Sequence, residues 1–278
     1  MLAHTKTLTD PNGIVKKLIF EDDTAIAEAV VYNYKDRGVV CFSVQSGCPI
    51  GCVFCGTGRK FIRNLTAKEI DLQIQVGNEM ISDRSKKQFM SMSMGEPMLN
   101  YKNLMAAASP FLHINPEAHL YISTVGVKNI SVLADILRDG EEYEHFGLQF
   151  SLHHYSNSIR KKKLGNYFNL MSIEQIKHYA NLWKSWTTKP VYFNYICKEK
   201  YVRSGELEAI HEIVKGQHLT LSVLCDTKDF TKGDPTPALN FARAMGDMFP
   251  DQDISVFDPA GQRLLAAGVV NCFMYKRK

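Results

Sequence analysis

The chain reads as an α/β protein: a partial (β/α)6 barrel with an N-terminal β-hairpin. Three observations predict this. Short apolar strands alternate with amphipathic helices six times, which implies parallel strands joined by right-handed crossovers. Six units fall short of the eight that close a full barrel. At 278 residues and 45% hydrophobic content, the chain can bury a full core without a disulfide scaffold.

The elements follow in order. "GIVKKLIFEDDTAIAEAVVYNY" reads as a hairpin turning at Asp22–Asp23. The first barrel strand is "VVCFSVQ", and after a cysteine-rich loop comes the helix "TAKEIDLQIQVGNEMIS". There Thr66 and Glu69 form a T-x-x-E capping box, and Ile70, Ile74 and Met80 fall near one helical face. "QFMSMSM" leads to a helix from about Lys102, and "HLYISTV" to "KNISVLADILRD". "FGLQFSL" is followed by "SIEQIKHYANLWKSW", and "VYFNYIC" by "GELEAIHEIVKG". "LTLSVLC" precedes "TPALNFARAMGDMF", and a final strand "DISVFD" ends the pattern. No repeat, low-complexity tract or linker breaks the series. One domain over 1–278 is expected, with the hairpin extension at 1–36, the barrel at 37–250 and a terminal strand and tail at 251–278.

Composition narrows the function classes. No apolar run approaches the roughly 18 residues of a membrane span, and the N-terminus lacks the apolar segment of a secretory signal. A cytoplasmic protein is expected. There the seven cysteines are free to be ligands or nucleophiles. A net charge of +4 permits a polyanionic partner without demanding one.

Cys48, Cys52 and Cys55 are spaced C-x3-C-x2-C in the loop after the first barrel strand, where a barrel places its functional groups. Structural zinc wants four nitrogen or sulfur ligands, and the next Cys or His downstream is His113. A cubane iron–sulfur cluster on three thiolates leaves one iron open for an outside ligand. The cluster is the stronger reading; zinc or an incidental cysteine-rich loop is the alternative.

Three cysteines at this spacing resemble the radical S-adenosylmethionine (SAM) superfamily. More narrowly, "AEAVVYNYKDRGVVCFSVQSGCPIGCVFCGTG...RNLTAKEI" is similar to the RlmN/Cfr family of RNA adenine methyltransferases, and "MSMGEPMLN", "ISTVG" and "FSLHH" appear in the family's order. The similarity is clear from about Asp10 to Lys189 and loose beyond. It implies a barrel of the radical SAM type, with a 4Fe-4S cluster on Cys48, Cys52 and Cys55. It further implies SAM contacts from Gly95 and Glu96, the carboxylate taking the SAM ammonium. Ser123, Ser151, Leu152 and His153 would complete the pocket, and Asp226 stands where the family has an asparagine. Read singly, a G-E-P turn or a serine after a strand is commonplace; their joint order carries the signal.

In the chemistry this resemblance implies, a C-terminal cysteine accepts a methyl group from one SAM. A 5′-deoxyadenosyl radical from a second SAM takes hydrogen from that methyl. The resulting carbon radical adds to an electron-poor adenine carbon. An upstream cysteine then removes the ring proton, and a disulfide forms on release. Cys41 matches the upstream cysteine, which such a scheme wants accessible and of low pKa, although a lone cysteine on an apolar strand is more often core. Glu28 matches a carboxylate that could relay a proton, although a glutamate on a hairpin is usually solvated.

The C-terminus departs from the pattern. Without gaps the methyl-carrying cysteine becomes Gly268, and Cys272 is the cysteine nearest to it. Either Cys272 takes the role, or methyl transfer through cysteine is lost and the radical abstracts hydrogen directly from another substrate. About 27 residues precede Glu28, too few for the small helical domain with which RNA-methylating relatives hold substrate. Arg160–Lys163 and Lys276–Lys278 could grip phosphate, though such runs are more often solvated. Arg59, Lys60 and Arg63, beside the cysteine loop, are better placed for a nucleic acid. An RNA substrate, a flavodoxin or ferredoxin as electron donor, and a monomer complete the expectation.

Overall fold

The computed structural model describes residues 1–58, 60–198, 203–224 and 234–258. Three antiparallel strands open it: β1 (Ala3–Thr9), β2 (Val15–Glu21) and β3 (Ile26–Asn33). The hairpin turn between β2 and β3 is where the sequence places it. Asp22 Oδ1 accepts the backbone N–H groups of Thr24 and Ala25 at 2.9 Å each, an Asx turn. β1 was not expected. Its sequence AHTKTLT is exposed along almost its whole length, so it carries no apolar face for periodicity to reveal.

β3 pairs antiparallel with β4 (Gly38–Cys41), the first strand of the barrel. The loop after β4 contains a small antiparallel pair, β5 (Gln45–Gly47) and β6 (Phe61–Asn64), before α1 (Ala67–Met80). The predicted capping box of α1 is present, with Thr66 and Glu69 each bonded to the other's backbone N–H. Then come β7 (Lys87–Met90), α2 (Tyr101–Ile114), β8 (His119–Thr124), α3 (Ile130–Glu142) and β9 (Phe146–Ser151). Two helices follow β9, the short α4 (Asn157–Lys163) and the longer α5 (Ile173–Thr187). β10 (Tyr192–Cys197), α6 (Ser204–Val214), β11 (His218–Val223), α7 (Thr236–Met248) and β12 (Ile254–Phe257) complete the described elements. Strands β4, β7, β8, β9, β10, β11 and β12 are parallel and hydrogen-bonded in chain order, the arrangement six successive crossovers require.

Alternation along each strand gives the barrel two unlike faces. Outward residues pack on the helices: Phe89 against Phe111 of α2 and Phe146 against Trp183 of α5, with ring centroids 4.7 and 6.2 Å apart. Burying each such ring contributes about 1.5–3 kcal/mol. Inward residues are mixed: Val15, Val30, Tyr32, Val39 and Cys41 form an apolar cluster at the β2–β4 side, and buried Ser123, Gln149 and Asn194 lie further round. The register sets Cys41 beside Met90 and Met90 beside Tyr121 on one side, and Gln149 beside Tyr192 and Tyr192 beside His218 on the other. Gly147 makes room for Tyr121, since a Cβ there would lie 2.4 Å from its ring. No helix among the described residues is long and apolar enough to cross a membrane.

Candidate active site

The cysteine loop springs from the C-terminal end of β4. Its path is fixed by residues that tolerate no side chain: Gly47 has φ +80°, and a Cβ there would lie 1.8 Å from the Lys60 carbonyl. Cys48 N–H donates to that carbonyl at 3.1 Å, and Cys55 N–H to Cys52 O at 3.1 Å. From outside, Val53 N–H donates to Lys163 O at 2.9 Å, tying the loop to α4. Phe54 stands edge-on to the His153 ring, 4.8 Å between centroids. Cys48, Cys52 and Cys55 are half-buried.

The donor set, three cysteines of one loop, fits a cubane held by three thiolates. In a cubane each thiolate binds a different iron, so three thiolates need not converge on one point. Burial first, then the charges of Cys55 and Glu96, pushes the Cys48 thiol up to about 12. Metal binding to these sulfurs therefore releases protons.

Gly95 and Glu96 follow β7. Gly95 takes φ +103°, and a Cβ there would fall 2.7 Å from Cβ of Gln45. Gln45 Oε1 accepts Glu96 N–H at 2.8 Å, while its amide donates to Asn64 Oδ1 at 2.8 Å. The Gly-Glu turn is thereby locked to β5 and β6. The Glu96 carboxylate is buried. It accepts Met98 N–H at 3.0 Å, Val125 N–H at 2.9 Å and the Thr124 hydroxyl at 2.5 Å. Three of its four or so acceptor sites are thus filled by the protein, which leaves one for an outside donor. Burial pushes its carboxyl upward even so.

Ser123 is the penultimate residue of β8, its N–H donating to Ser91 Oγ at 3.3 Å. Ser151 ends β9, and Leu152 N–H donates to Asn194 O at 2.9 Å. His153 is buried in a left-handed conformation, φ +57°. Its Nδ1 accepts Ile196 N–H at 3.3 Å, which leaves the ring proton on Nε2. Burial, then Arg160 and Lys163, push its pKa down to about 3, so it is a neutral donor.

At the barrel wall one expectation is corrected, that of an accessible, low-pKa Cys41, and the solvated alternative for Glu28 is set aside. Glu28 lies fully buried on the inward face of β3, with Lys17 Nζ 3.0 Å from Oε2 and Ser93 Oγ 3.5 Å from Oε1. Cys41 is neither accessible nor acidic. It packs with Val15, Val30, Tyr32 and Val39, and burial pushes its thiol up to about 12. Cys41 pairs with Val30, two residues from Glu28, so both side chains share one face of the sheet.

The basic runs also read differently in three dimensions. Arg160 is buried, and its guanidinium donates to the carbonyls of Leu152 and Met171 at 3.1 Å each, Ser151 at 3.3 Å, and Val125. It ties the ends of β8 and β9 together and grips no phosphate. Arg63 binds Glu69 bidentately at 2.8 and 2.9 Å. Sequence reasoning missed Lys17, Gln45 and Asn194, and read Arg160 as a phosphate contact or a solvated charge. A polar residue inside an apolar strand, as in "VYFNYIC", was the available signal for Asn194. Asp226, Cys272, Gly268, Arg59 and Lys276–Lys278 lie outside the described residues.

No family model matches the chain. Curated relatives do. "Probable dual-specificity RNA methyltransferase RlmN" of Petrotoga mobilis is 30% identical over 207 residues, covering 72% of this chain and 57% of that protein. Its namesake in Deinococcus deserti is 38% identical over 167 residues, covering 56% of this chain and 47% of that protein. "Ribosomal RNA large subunit methyltransferase N" of Nitrosopumilus maritimus is 28% identical over 260 residues, 86% and 72% of the two chains. The chain thus spans about half the length of the first two. A solved radical SAM methyltransferase from Sphaerobacter thermophilus has the same fold, with TM-score 0.81 and 24% identity over 96% of this chain and 80% of that one. With a three-cysteine loop, a Gly-Glu turn and the Ser-Leu-His segment all at one end of the parallel strands, the chain belongs to the RlmN-like family of radical SAM proteins.

Proposed function

We propose that this protein is a radical SAM enzyme that methylates an adenine base in RNA, ribosomal or transfer. Membership of the family implies SAM and an iron–sulfur cluster. One observation carries the reading: buried Glu28 and Cys41 share the inward face of the wall beneath the cysteine loop, a pair for which direct hydrogen abstraction has no use.

Cys48, Cys52 and Cys55 hold a 4Fe-4S cluster in this reading, and cluster and SAM together supply a one-electron cleavage that gives a carbon radical. Gly95 and Glu96 offer SAM their backbone and the remaining acceptor site of the carboxylate. Ser123 and Ser151 line the pocket with Leu152, and His153 donates its Nε2 proton. Asp226 contributes from beyond β11. Cys272 carries the methyl group. Cys41 removes the ring proton, and because its thiol is held neutral by burial it needs a base first. Glu28, on the same face and 3.0 Å from Lys17 Nζ, is the group placed to relay that proton. The protein acts as a cytoplasmic monomer of one domain, reduced by a flavodoxin or ferredoxin.

The test is anaerobic reconstitution followed by assay of iron, sulfide and 5′-deoxyadenosine. About four irons per chain with SAM cleavage, both lost in Cys48→Ala, Cys52→Ala and Cys55→Ala, supports the reading. About one zinc and no iron overturns it.

A further inference from the structure

We propose that Phe168, with Lys161 and Lys162, forms a docking platform on which an unpaired stretch of the RNA substrate stacks as it enters the barrel mouth; this rests on the RNA reading above. Phe168 is 83% exposed, so the fold gains little from it. A large aromatic left in solvent beside a site is more informative than one at random on a surface. Its place is set by contacts already described. The segment after α4 turns back on that helix, with Asn166 N–H donating to Lys161 O at 2.8 Å. Gly165 lies so close beneath the cysteine loop that a Cβ would meet Gly51 O at 2.4 Å. Tyr167 N–H donates to Leu164 O at 3.2 Å, so the Tyr167–Phe168 pair, 5.1 Å between ring centroids, follows directly on the glycine seated against the cysteine loop.

The charge beside it has the sign RNA requires. Lys161 and Lys162 are both exposed in the last turn of α4, whereas Arg160 and Lys163 turn inward to backbone carbonyls. The run RKKK therefore divides into two structural cations and two outward ones. Glu174, the next acid in the chain, is held by Asn157 at the opposite end of α4. A second aromatic pair, His154 stacked on the half-exposed Tyr155 at 4.4 Å, precedes the helix. Outward lysines between exposed rings match single-stranded RNA, whose bases stack on aromatics while its phosphates meet cations. A duplex hides its bases and offers Phe168 nothing to stack on.

The experiment measures anisotropy of a fluorescent 12-nucleotide adenine-rich RNA, single-stranded and as a duplex, across a salt series. Phe168→Ala should weaken single-strand binding roughly 5- to 150-fold, the range of one lost base stack, and leave duplex binding as it was. Phe168→Trp should restore it. Lys161→Ala/Lys162→Ala should lower the salt slope by about 1 to 1.5, near 0.7 for each phosphate contact. Thermal melts of the variants should match wild type, since these are surface changes. Unchanged RNA affinity in Phe168→Ala overturns the platform alone. Slowed reduction by flavodoxin with RNA affinity intact also overturns it, marking the patch as a donor-protein surface. Wild type that binds no RNA overturns the platform and the RNA reading together.

Discussion

Lys17 Nζ lies 3.0 Å from Oε2 of Glu28, and both side chains are fully shut off from solvent. The two stand on neighbouring strands of the N-terminal hairpin, β2 and β3, both inward. Removing one partner strands the other charge. Lys17→Met should cost about 3–5 kcal/mol in denaturant unfolding. The double variant Lys17→Met/Glu28→Leu should recover much of that loss. A loss in the double equal to or greater than that in the single would show that the pair is not a unit.

At the Gly-Glu turn the limiting feature is space. Gly95→Ala puts a Cβ 2.7 Å from Gln45 Cβ at a φ that L residues rarely adopt. The turn must shift and the Glu96–Gln45 bond must break. SAM affinity by calorimetry should fall more than tenfold while iron content stays at the wild-type level. Unaltered SAM affinity would remove this turn from the site.

Arg160 holds carbonyls from four residues with one buried guanidinium. Arg160→Met fills the volume but leaves those acceptors unmatched, so a destabilisation of about 3–5 kcal/mol is expected. Arg160→Lys should rescue only part of it, because a point cation cannot reproduce a planar fork. Urea unfolding of the three proteins checks the order.

A pH dependence follows from Glu69 and His153. Burial works against the charged form of Glu69, but Arg63 and the N–H groups of Thr66 and Leu2 outweigh it and bring its pKa down from 4.5 to about 2. Its folded value is depressed, so its contribution is complete above the ordinary value and is lost as pH falls towards 2. His153 is held neutral, its pKa lowered from 6.5 to about 3, so the unfolded chain binds its proton first and stability falls below pH 6.5. Both slopes have the same sign: stability should drop on acidification. Glu69→Gln should flatten the lower part of that curve, measured by urea midpoints in a pH series.

Much of this was legible in the sequence wherever a local rule and the global fold agree. Thr66 and Glu69 declared the start of α1, and the alternation of apolar strands and amphipathic helices declared the parallel run. Legibility failed where a residue's meaning depends on which way it faces. Arg160 and Lys163 sit in a run with Lys161 and Lys162, and no spacing rule distinguishes two inward cations from two outward ones. For Glu28 the sequence left a proton relay and a solvated hairpin glutamate both open, because Lys17, eleven positions earlier, meets it only after β2 and β3 pair. α4 and the β5–β6 pair are too short to show a period, and exposed β1 has no apolar face to show one.

The central claim, methylation of RNA adenine through Cys41, Glu28 and a protein-bound methyl, is tested most directly by one measurement. The protein would be reacted anaerobically with RNA and SAM bearing a deuterated methyl group, and the RNA digested for nucleoside mass spectrometry. The account predicts a deuterium-bearing methyladenosine, methylated on a ring carbon, that disappears in Cys41→Ala. RNA without label, alongside abundant 5′-deoxyadenosine from the same reaction, would contradict it.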